Sequence, residues 1–94
     1  MATHTDKAYE AELRDLREKL LEMGGLVEAA LSSAVRAITE RNVDLAEKVK
    51  ARDREINRME VAVDQACRRI LALRQPAASD LRFITTALKI VVDL

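Results

Sequence analysis

The sequence has little with which to turn a chain: two glycines and one proline in 94 residues. A sandwich or barrel needs a turn roughly every 8–12 residues, and a doubly wound fold needs glycine-rich loops, so both are excluded. Aromatic residues make up 2% of the chain and tryptophan is absent, so the core must be built from Leu, Val, Ile, Met and Ala. A single cysteine, Cys67, excludes an internal disulfide and the stapled frameworks of small secreted domains, which fits an intracellular setting. No excess charge of one sign exists, since sixteen basic residues face sixteen acidic ones. Nothing therefore draws the chain as a whole to nucleic acid or an anionic membrane. The segment from Met1 to Leu13 is polar rather than basic then apolar, so it resembles no signal peptide. The most apolar run, Phe83 to Val92, contains Lys89 and is about half the length of a membrane span.

What is present is helical periodicity, on a chain long enough for one domain over residues 1–94. Tyr9, Leu13, Leu16, Leu20, Met23, Val27, Leu31, Ala34 and Ile38 recur at steps of three and four, the spacing that keeps side chains on one helix face. This predicts a first helix over about 5–40, capped by Thr3 or Thr5 with Asp6 in its first turn. Gly24 and Gly25 fall inside it and mark a bend or a close backbone approach. The stripe keeps its phase across the pair, which favours a continuous helix.

Asn42 is a good cap for a second helix over about 42–74, whose stripe is Leu45, Val49, Ile56, Met59, Val63, Ala66 with Cys67, Ile70 and Leu73, with Arg52 as its polar member. The short connection makes the two helices antiparallel. Pro76 suits the first position of a third helix over 76–94, with Asp80 in its first turn and Leu81, Ile84, Ala87, Leu88 and Val91 facing inward. The expected fold is an all-α, antiparallel, up-down three-helix bundle. Its third helix is expected to be incomplete, because the apolar pattern is undiminished at Leu94 and no cap follows.

No set of nucleophile, base and acid can be assembled: the one histidine, His4, is near the N-terminus and Cys67 sits on a core stripe. The chain does not read as an enzyme. Cys67 reads as a small buried hydrophobe, with no second thiol to support a redox role. One stripe has chemical content, namely Asp53, Asn57, Glu60 and Asp64, spaced at four, three and four beside the apolar stripe. Oxygen ligands of this kind suit Mg²⁺, Ca²⁺, Mn²⁺ or iron, and carboxylates stacked one turn apart repel unless a cation intervenes. Arg52, Arg54, Arg58 and Arg68 lie nearby and can neutralise the stripe as a solvated ion-pair network, which spacing alone favours.

The run from Met59 to Cys67, the segment Arg74-Gln-Pro-Ala-Ala-Ser-Asp-Leu-Arg82 and a Met-Gly-Gly sequence at Met23 to Gly25, on a three-helix pattern, closely resemble the bacterial PhoU family. The resemblance extends from about Ala8 to Leu94 and implies the first of two tandem three-helix bundles. Family members continue with Glu-Arg-Ile-Gly-Asp, an acidic metal-binding motif that this sequence does not contain. The resemblance further implies a non-enzymatic, cytoplasmic negative regulator of phosphate uptake and the phosphate-starvation response. Such a regulator acts by contact between the ATPase subunit of the phosphate ABC transporter and a sensor histidine kinase, and meets the membrane only through those partners. It implies a divalent metal or iron in the intact protein, on motifs that map here to Asp53 and Asn57, with Glu60 and Asp64 extending the face. Asn57 departs from the carboxylate of the pattern, so binding by these residues alone is expected to be weak or absent.

Two other classes compete with the adaptor. A structural helical oligomerisation module shares its periodicity but does not explain the Arg74 to Arg82 segment. A di-metal carboxylate enzyme of the ferritin-like kind would need Glu-x-x-His pairs facing the core, which the sequence lacks. Helix three should reach only to about the level of Gly24 and Ile56. Val27, Leu31, Ala34, Ile38, Leu45 and Val49 would then present an apolar strip beyond it, and a homodimer or higher oligomer is expected to cover that strip.

Overall fold

A computed structural model describes the backbone of residues 4–93 and the side chains of residues 7–91. Three helices follow in chain order: α1 over His4–Glu40, α2 over Val43–Arg74 and α3 over Ala78–Asp93. The caps expected at Thr3 or Thr5, the first-turn Asp6, and the side chains of His4 and Leu94 lie outside the described residues. The bundle measures 58 × 22 × 17 Å, its long dimension set by α1, whose 37 residues extend about 55 Å at the helical rise.

Each break between helices has a local cause. Arg41 adopts a left-handed conformation (φ 52°), and two backbone bonds close α1: Asn42 N–H to the Ala37 carbonyl at 3.0 Å and Arg41 N–H to the Ile38 carbonyl at 3.4 Å. That pair of bonds is the Schellman closure, formed here with arginine where glycine is the usual residue. Asn42 then caps α2 as expected, its side-chain oxygen accepting from Leu45 N–H at 3.0 Å. At the second break Gln75 is left-handed (φ 48°) and ends α2. Pro76 was expected to open the third helix, but it lies two residues ahead of it. The first helical bond of α3 runs from Leu81 N–H to the Ala77 carbonyl at 2.7 Å. Proline here follows a left-handed C-cap, where it prevents the preceding helix from continuing, instead of starting the next.

α1 and α2 form an antiparallel hairpin, and α3 returns along the groove between them. One core joins the three: Leu13, Leu16 and Met23 from α1, Ile56, Val63, Cys67 and Ile70 from α2, and Ile84, Ala87 and Val91 from α3. Leu16, Val63, Cys67 and Ile84 are fully buried. Arg52, the polar member of the α2 stripe, donates to Ser33 Oγ at 3.1 Å and so ties the hairpin together where α3 does not reach. α1 is continuous through Gly24 and Gly25. A Cβ at either glycine would meet nothing within 4 Å, so the pair does not mark a close backbone approach.

Four members of the expected stripes are exposed: Leu31 and Ile38 toward the hairpin tip, and Leu73 and Leu81, 67% and 41% exposed, near the helix ends beside the α2–α3 turn. The reach of α3 is as expected, since Ile90 shares an apolar recess with Met23, Gly24 and Val27. Beyond it Leu31 and Ile38 are largely exposed, whereas Val27, Ala34, Leu45 and Val49 are half-buried by the hairpin itself.

Candidate functional site

The acidic stripe lies along α2 beside the buried Ile56, Val63 and Cys67. Asp53 and Asn57 are exposed, and Glu60 and Asp64 are half-buried. Asp53 and Glu60 form one wall of an open recess of about 320 Å³, floored by Val27, Ala30, Leu31, Ala34, Val49 and Ile56. Asp64 accepts from Arg68 Nε at 2.7 Å, which is the charge pairing of a solvated network rather than a free ligand. One helix ridge offers residues one turn apart, so at most two of these side chains can converge on a cation without a second helix contributing. Among the described residues no group of three or more His, Cys, Asp or Glu side chains could hold a metal ion. The donor set, two carboxylates with a neutral amide between them and a third carboxylate already paired, does not fit a closed metal site.

Cys67 sits beneath this ridge, fully buried. Burial first, and the nearby Asp64 second, push its thiol up from the ordinary range, while Arg68 acts weakly the other way. Raised in this way, the buried thiol is a weaker nucleophile than an ordinary cysteine.

The second group of polar contacts was not anticipated. At the end of the bundle distant from the hairpin tip, the Arg74 guanidinium donates to both oxygens of Glu12, at 2.7 and 3.3 Å, across 62 residues of sequence. Both side chains are less than a quarter exposed, unlike the other ion pairs among the described residues, which join neighbouring turns of a single helix on open surface. The hydrogen bond to Arg74 holds the Glu12 carboxyl below the usual carboxylate range, against the opposing effect of burial. Beside it the Tyr9 hydroxyl donates to Asp80 Oδ2 at 2.9 Å, and the Arg17 guanidinium lies 5.0 Å from the centre of the Phe83 ring. Arg74 and Asp80, two charged members of the segment from Arg74 to Arg82, are thus spent on fixing the α2–α3 turn against α1. Arg82 remains exposed on α3. The sequence carried one signal for this: charged residues flanking a proline turn. It carried none for their partners Tyr9 and Glu12, which lie within one unbroken helix.

A third feature is a ladder of like charge. Lys50, Arg54 and Arg58 follow at four-residue steps on the outer face of α2, all exposed, and among the described residues neither Arg54 nor Arg58 has a carboxylate within 4.0 Å. Such a ladder costs a few tenths of a kcal/mol per pair in an isolated helix, and a contacting acidic surface would relieve it.

Comparison with known proteins gives a consistent result. The PhoU domain model matches residues 20–94. A phosphate-specific transport system accessory protein PhoU homolog of Pseudomonas aeruginosa is 50% identical over 91 residues, covering 97% of this chain and 38% of the relative. The phosphate-specific transport system accessory protein PhoU of Escherichia coli is 44% identical over 91 residues, covering 97% and 38%. A PhoU homolog of Zymomonas mobilis is 41% identical over 87 residues, covering 93% and 37%. The chain thus spans less than two fifths of the length of these relatives. No solved structure matches it significantly.

Proposed function

The chain belongs to the PhoU family, and from that premise we propose that it serves the regulation of phosphate transport. In this reading it restrains phosphate uptake and the phosphate-starvation response by touching the ATPase subunit of a phosphate ABC transporter and a sensor histidine kinase. The observation that carries the reading is 50% identity over 97% of the chain to a relative named as an accessory protein of phosphate-specific transport. The structure supports action by contact. Its conspicuous polar features are surface ladders and a bonded turn, and its cysteine is sealed. Both proposed partners are reached from the cytoplasm, and no helix among the described residues is long and apolar enough to cross a membrane.

The proposed division of labour follows from the geometry. The Glu12–Arg74 and Tyr9–Asp80 contacts fix the α2–α3 turn against α1, and the Lys50, Arg54 and Arg58 ladder is preformed on one continuous helix. A preformed surface loses little entropy on docking. No step is assigned to a metal. Asp53, Asn57 and Glu60 would offer a hard cation only weak, incomplete coordination, so calorimetric titration with Mg²⁺, Mn²⁺ or Fe³⁺ should give at most millimolar affinity, on the order expected of open carboxylate sites.

Co-purification is the test. The tagged chain should be retained by the transporter's ATPase subunit and by the cytoplasmic part of the kinase, and loss of Arg54 and Arg58 together should weaken retention. Retention by neither would overturn the proposal. Exposed Leu31 and Ile38 favour a second reading, a structural oligomerisation module, which expects retention by neither partner together with self-association.

A further inference from the structure

Opposite the buried Ile56, Val63, Cys67 and Ile70, the outer side of α2 is exposed and repeats in steps of four and three: Arg54, Arg58, Val61, Gln65, Arg68 and Ala72. That is the period of about 3.5 residues by which one helix keeps a single seam against another. The seam runs about 27 Å from Arg54 to Ala72. Its charge is of one sign. Past Glu47, which pairs with Lys50, no carboxylate falls within the seam's sector of about 100° of arc, whereas Lys50, Arg54, Arg58, Arg68 and Arg69 all do. Among the described residues Arg54, Arg58 and Arg69 have no carboxylate within 4.0 Å. The basic strip is also narrow. Asp53 and Asp64 border it on one side, and on the other stands Glu55, which shares a recess with Glu22 and Lys19.

We propose that an acidic helix of a partner protein lies along this seam, its carboxylates taken by Arg54, Arg58 and Arg68 and its apolar side chains seated against Val61 and Ala72. This docking rests on the contact role proposed above and gives it a partner surface. Three observations select a helix. The first is the period, since a flat surface has no use for a repeat of four and three. The second is the pair of acidic borders. A membrane plane or a nucleic-acid duplex would press its phosphates against Asp53, Asp64 and Glu55 as well as against the strip, whereas a helix about 10 Å wide meets the strip alone. The third is the choice of side chain. Arginine takes a carboxylate by two parallel bonds and lays its apolar stem along a neighbouring helix, where lysine offers a point charge. Val61, 56% exposed, stands two turns from both Arg54 and Arg68, an apolar centre within a charged rim.

The test is fluorescence anisotropy with two labelled synthetic helices of identical composition. In one, glutamates and leucines share a single seam; in the other, the glutamates are spread round the helix. The seam helix should bind at least about tenfold tighter than the spread one and should weaken about tenfold between roughly 50 and 300 mM salt. Arg54→Glu combined with Arg68→Glu should remove its binding at unchanged far-ultraviolet ellipticity. Arg82→Glu combined with Lys89→Glu, the same change of charge on exposed positions of α3, should leave it unchanged. Equal binding of the two helices, or of neither, overturns the proposal. So does tighter capture by phosphatidylglycerol vesicles, or self-association of the chain through the same two arginines. The transporter's ATPase subunit and the cytoplasmic part of the kinase are assayed in parallel. If the seam helix binds and neither protein does, the phosphate-transport reading fails and the docking seam stands. If either protein is retained regardless of Arg54→Glu with Arg68→Glu, the seam is refuted and that reading survives.

Discussion

Tyr9 offers a direct reading of how the third helix is held, because it is the one tyrosine in a chain without tryptophan. Near-ultraviolet phenolate absorbance therefore titrates this side chain alone. Burial, then the hydrogen bond to Asp80, then the charge of Asp80 push its hydroxyl up from 10.0 to about 12. A group whose pKa is raised on folding contributes stability that is fully present below about 10 and is lost as pH rises through about 12. Two pH units correspond to at most about 2.7 kcal/mol, and partial exposure of the ring edge reduces this to about 1–2 kcal/mol. At neutral pH Tyr9→Phe should cost about 1 kcal/mol through the lost bond to a charged acceptor, and it should remove the alkaline loss of stability attributable to this residue. The assay is a spectrophotometric titration with ellipticity followed in parallel to establish that the chain remains folded. Asp80→Asn should lower the midpoint while leaving it above 10, since burial is the larger cause. A midpoint near 10 in the folded protein would refute the Tyr9–Asp80 contact and with it the seating of α3 against α1.

Other outcomes follow from the same structure. Arg41→Gly and Gln75→Gly relieve left-handed conformations at the two helix ends and should each raise stability by about 0.5–1 kcal/mol, read as a higher urea midpoint at unchanged slope. Gly24→Ala and Gly25→Ala replace helical glycines where a Cβ meets open space, so each should stabilise by about 0.5–1 kcal/mol, and a loss of stability at either would show an unseen close contact. Glu12 contributes stability above its ordinary carboxylate range that fades as pH falls through the lowered value. Glu12→Gln should therefore flatten the acid limb of a plot of urea midpoint against pH.

Much of this fold was legible because period and punctuation agreed. The three and four spacing of Leu13, Leu16 and Met23 continued through Gly24 and Gly25 without a phase change, and the helix is continuous there. Asn42 announced its cap because an amide at that position has one obvious donor to satisfy, Leu45 N–H. Pro76 misled because proline is equally at home one residue past a helix and at the start of the next, and the left-handed Gln75 that decides between them has no glycine to reveal it. Leu73 and Leu81 misled because periodicity reports a face but not whether another element overhangs it. At the candidate site, spacing put Asp53, Asn57, Glu60 and Asp64 on one ridge. It could not show that Asp64 would be bonded by Arg68, nor that Asp53 and Glu60 would flank an apolar recess. The Glu12–Arg74 and Tyr9–Asp80 pairs join residues more than sixty positions apart, and only the register of three helices brings such pairs together.

The central claim, action on phosphate transport by protein contact, is tested most directly by titration calorimetry. The chain would be titrated into the purified ATPase subunit of a phosphate-specific transporter, in buffer containing a metal chelator. The account expects saturable binding that is unaffected by the chelator and weakened by the double substitution Arg54→Ala and Arg58→Ala. Absence of binding, or binding that appears only when metal is restored, would contradict it.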